Sequence, residues 1–306
     1  MKLKTPPNLK KGDQVALVAP AGYIENDKAL ILAEKMLKSW GLKAVRGKHV
    51  LEKNGSFAGT DEQRREDFQK ALDNPKIKAI WAVRGGYGSM RIIQDLNFNK
   101  FIKKPKWVIG YSDITVFHSA LNNLGYKSIH GIMPINLSAD KKSIEKAVDS
   151  LENILFGKEV EYIIPSSSYN KYGSIQGEIV GGNLTLLQNL LGTPFEIKTK
   201  GKILFIEEIG EELYQIDRKL QSLKLAGTFN HILGLVVGSF TDIKPNKQWN
   251  DTNYQEIIHK LIKGSDFPVI FDIPSGHIDE NRAIIFGNEA IINIGEFVCC
   301  VRLKQK

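Results

Sequence analysis

The sequence predicts an α/β protein: an N-terminal domain built on a parallel sheet, then a β-rich α+β domain. Three observations carry that reading. Between residues 14 and 156, short runs that are apolar throughout alternate with stretches of helical periodicity. Strands apolar on both faces belong to a parallel sheet covered by helices. Residues 157–172 are polar, with Pro165 followed by three serines, and read as a linker. From residue 173 onward glycine is frequent and strand-like runs outnumber helices. The expected boundaries are therefore 1–156, 157–172 and 173–306.

Taken in order, residues 14–19 (QVALVA) form a buried strand and PAGY turns the chain. Residues 28–40 place Leu30, Ala33, Leu37 and Trp40 on one helical face, with Gly41 as the stop. A short strand over 42–46 leads to a glycine-rich loop. Asp61 opens a helix, DEQRREDFQKALD, whose acidic first turn suits the macrodipole, and Asn74-Pro75 ends it. KAIWAV (78–83) is a strand followed directly by RGGYGS (84–89), then by a helix-like MRIIQDLN. WVIG (107–110) and SIHGIM (128–133) are further strands, and 143–156 is a helix. In the second half, strands are expected over 202–207, 232–238, 268–271, 282–286 and 290–294, with a helix over 213–223. A flavodoxin-like or class I glutaminase-like N-terminal domain is expected.

At 306 residues, 42% apolar and 25% charged, the chain buries a sizeable core without staples. Its two cysteines, Cys299 and Cys300, are adjacent and make no disulfide framework, which fits a reducing compartment. The stretch MKLKTPPNLKKGD lacks the apolar core of a signal peptide. The richest apolar run, ILGLVVG, is too short to span a bilayer. A cytoplasmic protein without a membrane partner is expected. The net charge of +8 is spread along the chain beside acidic residues. Such diffuse basicity argues for solubility or an anionic small substrate rather than nucleic acid.

Three stretches carry chemistry. The first is residues 107–125, WVIGYSDITVFHSALNNLG, where Ser112 stands at a strand-to-helix turn. A serine there either caps the helix or is a nucleophile set among backbone donors. The second is LFIEEIGEELYQIDRKLQSL (204–223), whose strand delivers Glu207 and Glu208 to its C-terminal end. Glu208, Glu211 and Glu212 compete with Glu207, and a solvated face explains several glutamates equally well. The third is IPSGHIDENRAIIFG (273–287), with His277 in a turn next to a glycine. His277 is either a turn residue or a base. His130 is a second candidate for the base, and His118 is expected in the core. The remaining histidines show no metal-ligand spacing, so no metal and no cofactor are expected. RGGYGS lacks the dinucleotide-binding order of glycines. Ile114 stands where an ordinary α/β-hydrolase turn has its last glycine.

These stretches, together with the APAG turn, RGGYGS and GGNLT at 181–185, resemble the LD-carboxypeptidase family of serine peptidases across almost the whole chain. The resemblance implies a Ser-Glu-His triad of Ser112, Glu207 and His277. Ser112 and Glu207 lie 95 residues apart (207 − 112), and Glu207 and His277 lie 70 apart (277 − 207). Both gaps suit the family. His277 would take the serine proton and Glu207 would orient the ring. The backbone N–H groups of Asp113 and Gly86 would form the oxyanion hole. Arg84, Gly85 and Tyr87 would hold the substrate and its free carboxylate. The site would lie in the cleft between the domains. The implied reaction is release of terminal D-alanine from a murein tetrapeptide by hydrolysis of an L-D amide bond, in peptidoglycan recycling, by a homodimer. Two rivals stand beside it. Microcin C immunity proteins share the triad but act on peptidyl or aminoacyl nucleotides. A non-catalytic peptide or sugar binder is the other. The tract 165–181 carries Tyr169 and Tyr172 but no tryptophan to stack on a base, which favours the murein substrate.

Overall fold

The computed structural model describes residues 3–137, 142–244, 249 and 252–304. In the first sheet, β1 (Gln14–Val18) and β2 (Lys43–Arg46) are joined by α1 (Lys28–Ser39), which buries the expected Leu30, Ala33 and Leu37. α2 (Asp61–Asp73) starts at Thr60. The Thr60 hydroxyl accepts from the Gln63 N–H, and the Gln63 side chain accepts from the Thr60 N–H. β3 (Ile77–Ala82) follows, then the short helices α3 (Ser89–Ile92) and α4 (Asn99–Lys103). β4 (Trp107–Gly110), α5 (Thr115–Asn123), β5 (Ser128–His130) and α6 (Lys142–Leu155) complete this part. The five strands are parallel in the order β5-β4-β3-β1-β2. The order reverses at β1, so a crevice opens beyond the carboxyl ends of β1 and β3. The PAGY and RGGYGS turns lie there, and Ser112 follows β4 beside them.

The second sheet holds β6 (Val160–Pro165), β7 (Gly173–Asn183), β8 (Ile203–Ile209), β9 (Gly234–Thr241) and β10 (Val269–Ile270). After β11 (Ile284–Phe286) come its last two strands, β12 (Asn288–Ile294) and β13 (Val298–Leu303). The sheet runs β10-β9-β8-β7-β12-β13-β6, parallel from β7 to β10 and antiparallel from β7 through β12 and β13 to β6. α7 (Leu184–Asn189), α8 (Leu213–Leu225) and α9 (Tyr254–Leu261) pack Leu187, Ile216, Leu220 and Ile258 against the parallel strands.

Two elements depart from expectation. β6 lies inside the stretch read as a linker. Its residues alternate buried and exposed, and it closes the sheet against β13. β11, expected in the second domain, pairs antiparallel with β5 at the edge of the first sheet. Gly287 then turns the chain into β12, its N–H bonded to the Ile179 carbonyl at 2.7 Å. The chain thus stitches the sheets together immediately after the segment carrying His277. One apolar cluster joins Leu17, Trp81 and Ile109 of the first sheet to Ile179, Phe205 and Ile292 of the second. Among the described residues no helix is long and apolar enough to cross a membrane.

Candidate active site

Ser112 has a φ of 62°, left-handed backbone that non-glycine residues adopt at a cost. It opens a single 3₁₀ turn (Ser112–Ile114) that runs into α5. It does not cap the helix: Tyr111 and Ile114 occupy the N-cap positions of the two segments. The serine is therefore held in a strained turn at the sheet rim, half-buried.

The RGGYGS turn lies directly over it. A Cβ added to Gly85 would sit 3.0 Å from the Ser112 Cβ and 3.2 Å from its Oγ. Gly85 is thus the glycine that packs on the serine, whereas Gly86 (φ 100°) is exposed one residue beyond. The turn is tied on three sides. The Gly22 N–H donates to the Gly85 carbonyl at 2.9 Å. The Ser89 N–H donates to Asp113 Oδ2 at 2.8 Å. Arg64, 1% exposed, donates from Nη1 to the carbonyls of Pro20 (2.7 Å) and Gly88 (3.0 Å) and pairs with Asp61. Arg84 is half-buried and gives Nη1 to the Tyr23 carbonyl at 2.5 Å. Tyr87 is 54% exposed and tilts against Phe57 with centroids 5.7 Å apart.

Across the crevice, β8 presents two consecutive carboxylates to opposite faces. Glu207 is 0% exposed and accepts the His277 Nδ1–H on Oε2 at 2.6 Å. That assignment follows from the partner, since a carboxylate only accepts. Glu208 turns away, to Asn183 and Thr185. Glu211 pairs with Lys219 at 2.6 Å, and Glu212 caps α8. Of the four glutamates, Glu207 is the one bonded to the histidine.

The His277 loop is built for this approach. Gly276 has a φ of 124°, and a Cβ there would lie 2.3 Å from Ser239 Oγ and 2.9 Å from Glu207 Oε2. Asn281 Oδ1 accepts the Gly276 N–H at 2.9 Å, and Thr241 Oγ1 donates to the His277 carbonyl at 3.2 Å. The Tyr111 ring meets the imidazole edge-on, centroids 4.8 Å apart. Residue 111 thus brings the serine turn to the histidine. Burial lowers the His277 pKa, but the charge and hydrogen bond of Glu207 outweigh it, with Glu208 and Asp242 adding to the rise. The net direction is upward. Glu207 is the imidazole's one hydrogen-bond partner among the described residues, so Nε2 is left for a further partner. Hydrogen bonds between nucleophile and base commonly tighten only with substrate bound.

The other histidine expectations divide. His118 is in the core as expected; its Nε2–H donates to the Gly110 carbonyl at 2.9 Å, and burial holds its pKa down at about 4. His130 is corrected. It is wholly buried among Tyr111, Phe205 and Phe286, and that burial pushes its pKa well below the ordinary value. Neither substrate nor solvent reaches it, so it is no base. Among the described residues no group of three or more His, Cys, Asp or Glu is placed to hold a metal ion. Tyr111, Gly276, Asn281 and Arg64 were not singled out from the sequence. Only Arg64 left a signal there: a charge in helical register with Phe68 and Ala71, on the buried face of α2.

Comparison with known proteins gives the family. Residues 15–131 match the model of the LD-carboxypeptidase N-terminal domain, and residues 176–292 match that of the LD-carboxypeptidase C-terminal domain. The chain belongs to the LD-carboxypeptidase family. Within that family, a probable murein peptide carboxypeptidase of Bacillus subtilis is 36% identical over 297 residues, covering 95% of this chain and 92% of that protein. The crystal structure of muramoyltetrapeptide carboxypeptidase from Oxalobacter formigenes superposes with a TM-score of 0.86 at 29% identity, covering 95% of this chain and 99% of the other. The microcin C7 self immunity protein MccF, solved with aspartyl sulfamoyl adenosine, has the same fold, with a TM-score of 0.87 at 20% identity over 99% of this chain and 98% of its own. The chain is thus placed among carboxypeptidases of the serine peptidase type.

Proposed function

We propose that the chain is a serine LD-carboxypeptidase that releases terminal D-alanine from murein tetrapeptides, with Ser112 as nucleophile, His277 as base and Glu207 as its orienting carboxylate. The observation that carries the reading is the 2.6 Å bond from the His277 ring to a fully buried Glu207, with that ring against the residue preceding a left-handed serine. The likeness to a probable murein peptide carboxypeptidase of Bacillus subtilis and a muramoyltetrapeptide carboxypeptidase of Oxalobacter formigenes supports the substrate class.

With Nδ1–H held by Glu207, Nε2 carries the lone pair and takes the Ser112 proton as Oγ bonds to the substrate carbonyl carbon. The resulting oxyanion falls to backbone donors, for which the N–H of Asp113 and those of the Gly85–Gly86 turn are the candidates. His277 then returns the proton to the D-alanine nitrogen as the amide bond breaks. Water, deprotonated by the same ring, frees the acyl group from Ser112. Arg84, half-buried and tied through Nη1 to the Tyr23 carbonyl, is assigned to the substrate carboxylate. The chemistry calls for no metal or organic cofactor. A cytoplasmic place in peptidoglycan recycling and a homodimeric state belong to the same reading.

Mass spectrometry of murein tetrapeptide before and after incubation tests it, with a peptidyl nucleotide in parallel. Loss of one alanine by wild type but not by Ser112→Ala is expected. Cleavage of the nucleotide conjugate alone would favour the microcin-type alternative, which shares the fold. No turnover of either, with no Ser112 adduct from a serine-directed reagent, would leave a binding protein. Light scattering that returns a single-chain mass would reject the dimer.

A further inference from the structure

We infer that Glu208 is a positioning residue, which through Asn183 and Thr115 locks the helix behind the nucleophile to the strand end that carries Glu207. The inference rests on Ser112, His277 and Glu207 being the reacting set, and it assigns a task to the neighbouring carboxylate that the set does not use.

Glu208 is 2% exposed. A carboxylate taken out of water needs donors, and it has four. Asn183 Nδ2 reaches it at 2.8 Å, the Thr185 N–H at 2.9 Å, Thr185 Oγ1 at 2.5 Å and the Ile209 N–H at 3.0 Å. Three of these come from residues 183–185, where β7 turns into α7. Asn183 is engaged at its other groups too: its Oδ1 accepts the Leu186 N–H at 3.2 Å, and its own N–H donates to Thr115 Oγ1 at 3.0 Å. Thr115 is 0% exposed and is the first residue of α5, three positions after Ser112. The approach is direct, because a Cβ on Gly182 would lie 2.5 Å from both Thr115 Oγ1 and Cγ2.

A continuous chain, Glu208 to Asn183 to Thr115, therefore crosses from the second sheet to the first. Glu207 and Glu208 are consecutive on β8, so fixing one fixes where the other meets His277. Without the Glu208 charge, Asn183 loses the partner that orients it, and α5 is free to shift against β8. A displacement of about 1 Å at reacting atoms costs on the order of a hundredfold in rate.

The test is the rate at which a fluorophosphonate labels Ser112, followed by intact mass. The reagent gains a bond from Ser112 Oγ to phosphorus and loses fluoride, while the hydroxyl proton passes to His277. This reads the nucleophile without any choice of peptide. Glu208→Gln and Thr115→Val are each expected to slow labelling about tenfold or more. Since both cut one chain, the double variant should be no more than about twofold slower than the slower single. Thr115→Ser, which keeps the acceptor oxygen, should recover to within about threefold of wild type. Thermal melts identify variants that fold. Folded variants that label at the wild-type rate, or effects that multiply in the double, overturn the inference. If Glu208→Gln does not fold, Thr115→Val against Thr115→Ser decides alone, equal rates overturning it. Wild type that takes no label at Ser112 removes the parent reading instead, so the two failures are distinct.

Discussion

At the scale of single residues, the basicity of His277, the base of the proposed mechanism, is set by two opposed effects. Burial disfavours the imidazolium, and the Glu207 carboxylate favours it more, so the pKa rises above 6.5. Catalysis needs the neutral ring. The kcat/KM profile should therefore climb with pH along a limb whose midpoint lies above about 6.5. Glu207→Gln removes the raising effect and leaves burial, so in the residual activity that midpoint should fall below the wild-type one. The variant should also lose about 10³–10⁴ in kcat, because the ring's tautomer is no longer held. Turnover across pH 5 to 9 with both proteins checks both statements. Glu208→Gln should cost much less than Glu207→Gln; the opposite ranking would move the triad by one residue. Gly276→Ala is a steric test of the same contact. Its methyl has to displace Ser239 or Glu207. A loss of about tenfold or more in kcat is expected, with full folding by circular dichroism.

At the scale of elements, α2 shows how a helix far from the chemistry holds the loops around it. Arg64 reaches from its buried face to the turns after β1 and β3 at once. Arg64→Met would leave two carbonyls unpaired and should destabilise the fold by about 2–4 kcal/mol in urea titrations. Arg64→Lys, which keeps a cation able to reach a carbonyl, should cost roughly half as much. A Met variant as stable as wild type would mean that water replaces the guanidinium. The elements also separate what periodicity encodes from what it does not. α1 announced its buried face through Leu30, Ala33 and Leu37 because a helix carries its own hydrogen bonds. β11 is three apolar residues, and a strand's partners lie elsewhere in the chain. Its place beside β5 was therefore invisible, as was β6, which runs into the proline and serines of a polar tract.

At the scale of the whole molecule, the two sheets share one core, and the candidate site lies where their strand ends meet. Under it lie two uncharged imidazoles, His118 and His130. The folded pKa of His118, about 4, is below its value of about 6.5 in the unfolded chain. Stability from this group is therefore fully present above pH 6.5 and is lost as pH falls toward 4, by up to about 3 kcal/mol. His118→Gln keeps a donor for the Gly110 carbonyl but cannot take up that proton. Its unfolding free energy should depend less steeply on pH between 6.5 and 4 than that of wild type. Equal slopes in denaturant titrations at several pH values would show that His118 titrates alike in both states.

The amino-acid sequence on its own determined the alternation of strands and helices and the turns at strand ends, because these follow from local periodicity and turn chemistry; Ser112, Glu207 and His277 stood out in it as candidates only through the ordered motifs that resemble a known family. Which glutamate meets the imidazole, which histidine is sealed away and which glycine lies on the serine were decided only by tertiary structure. Each depends on contacts between segments well separated in the chain, 27 positions for Gly85 and Ser112 (112 − 85) and 70 for Glu207 and His277 (277 − 207), and a window short enough to show helix or strand periodicity does not contain both sides of such a contact.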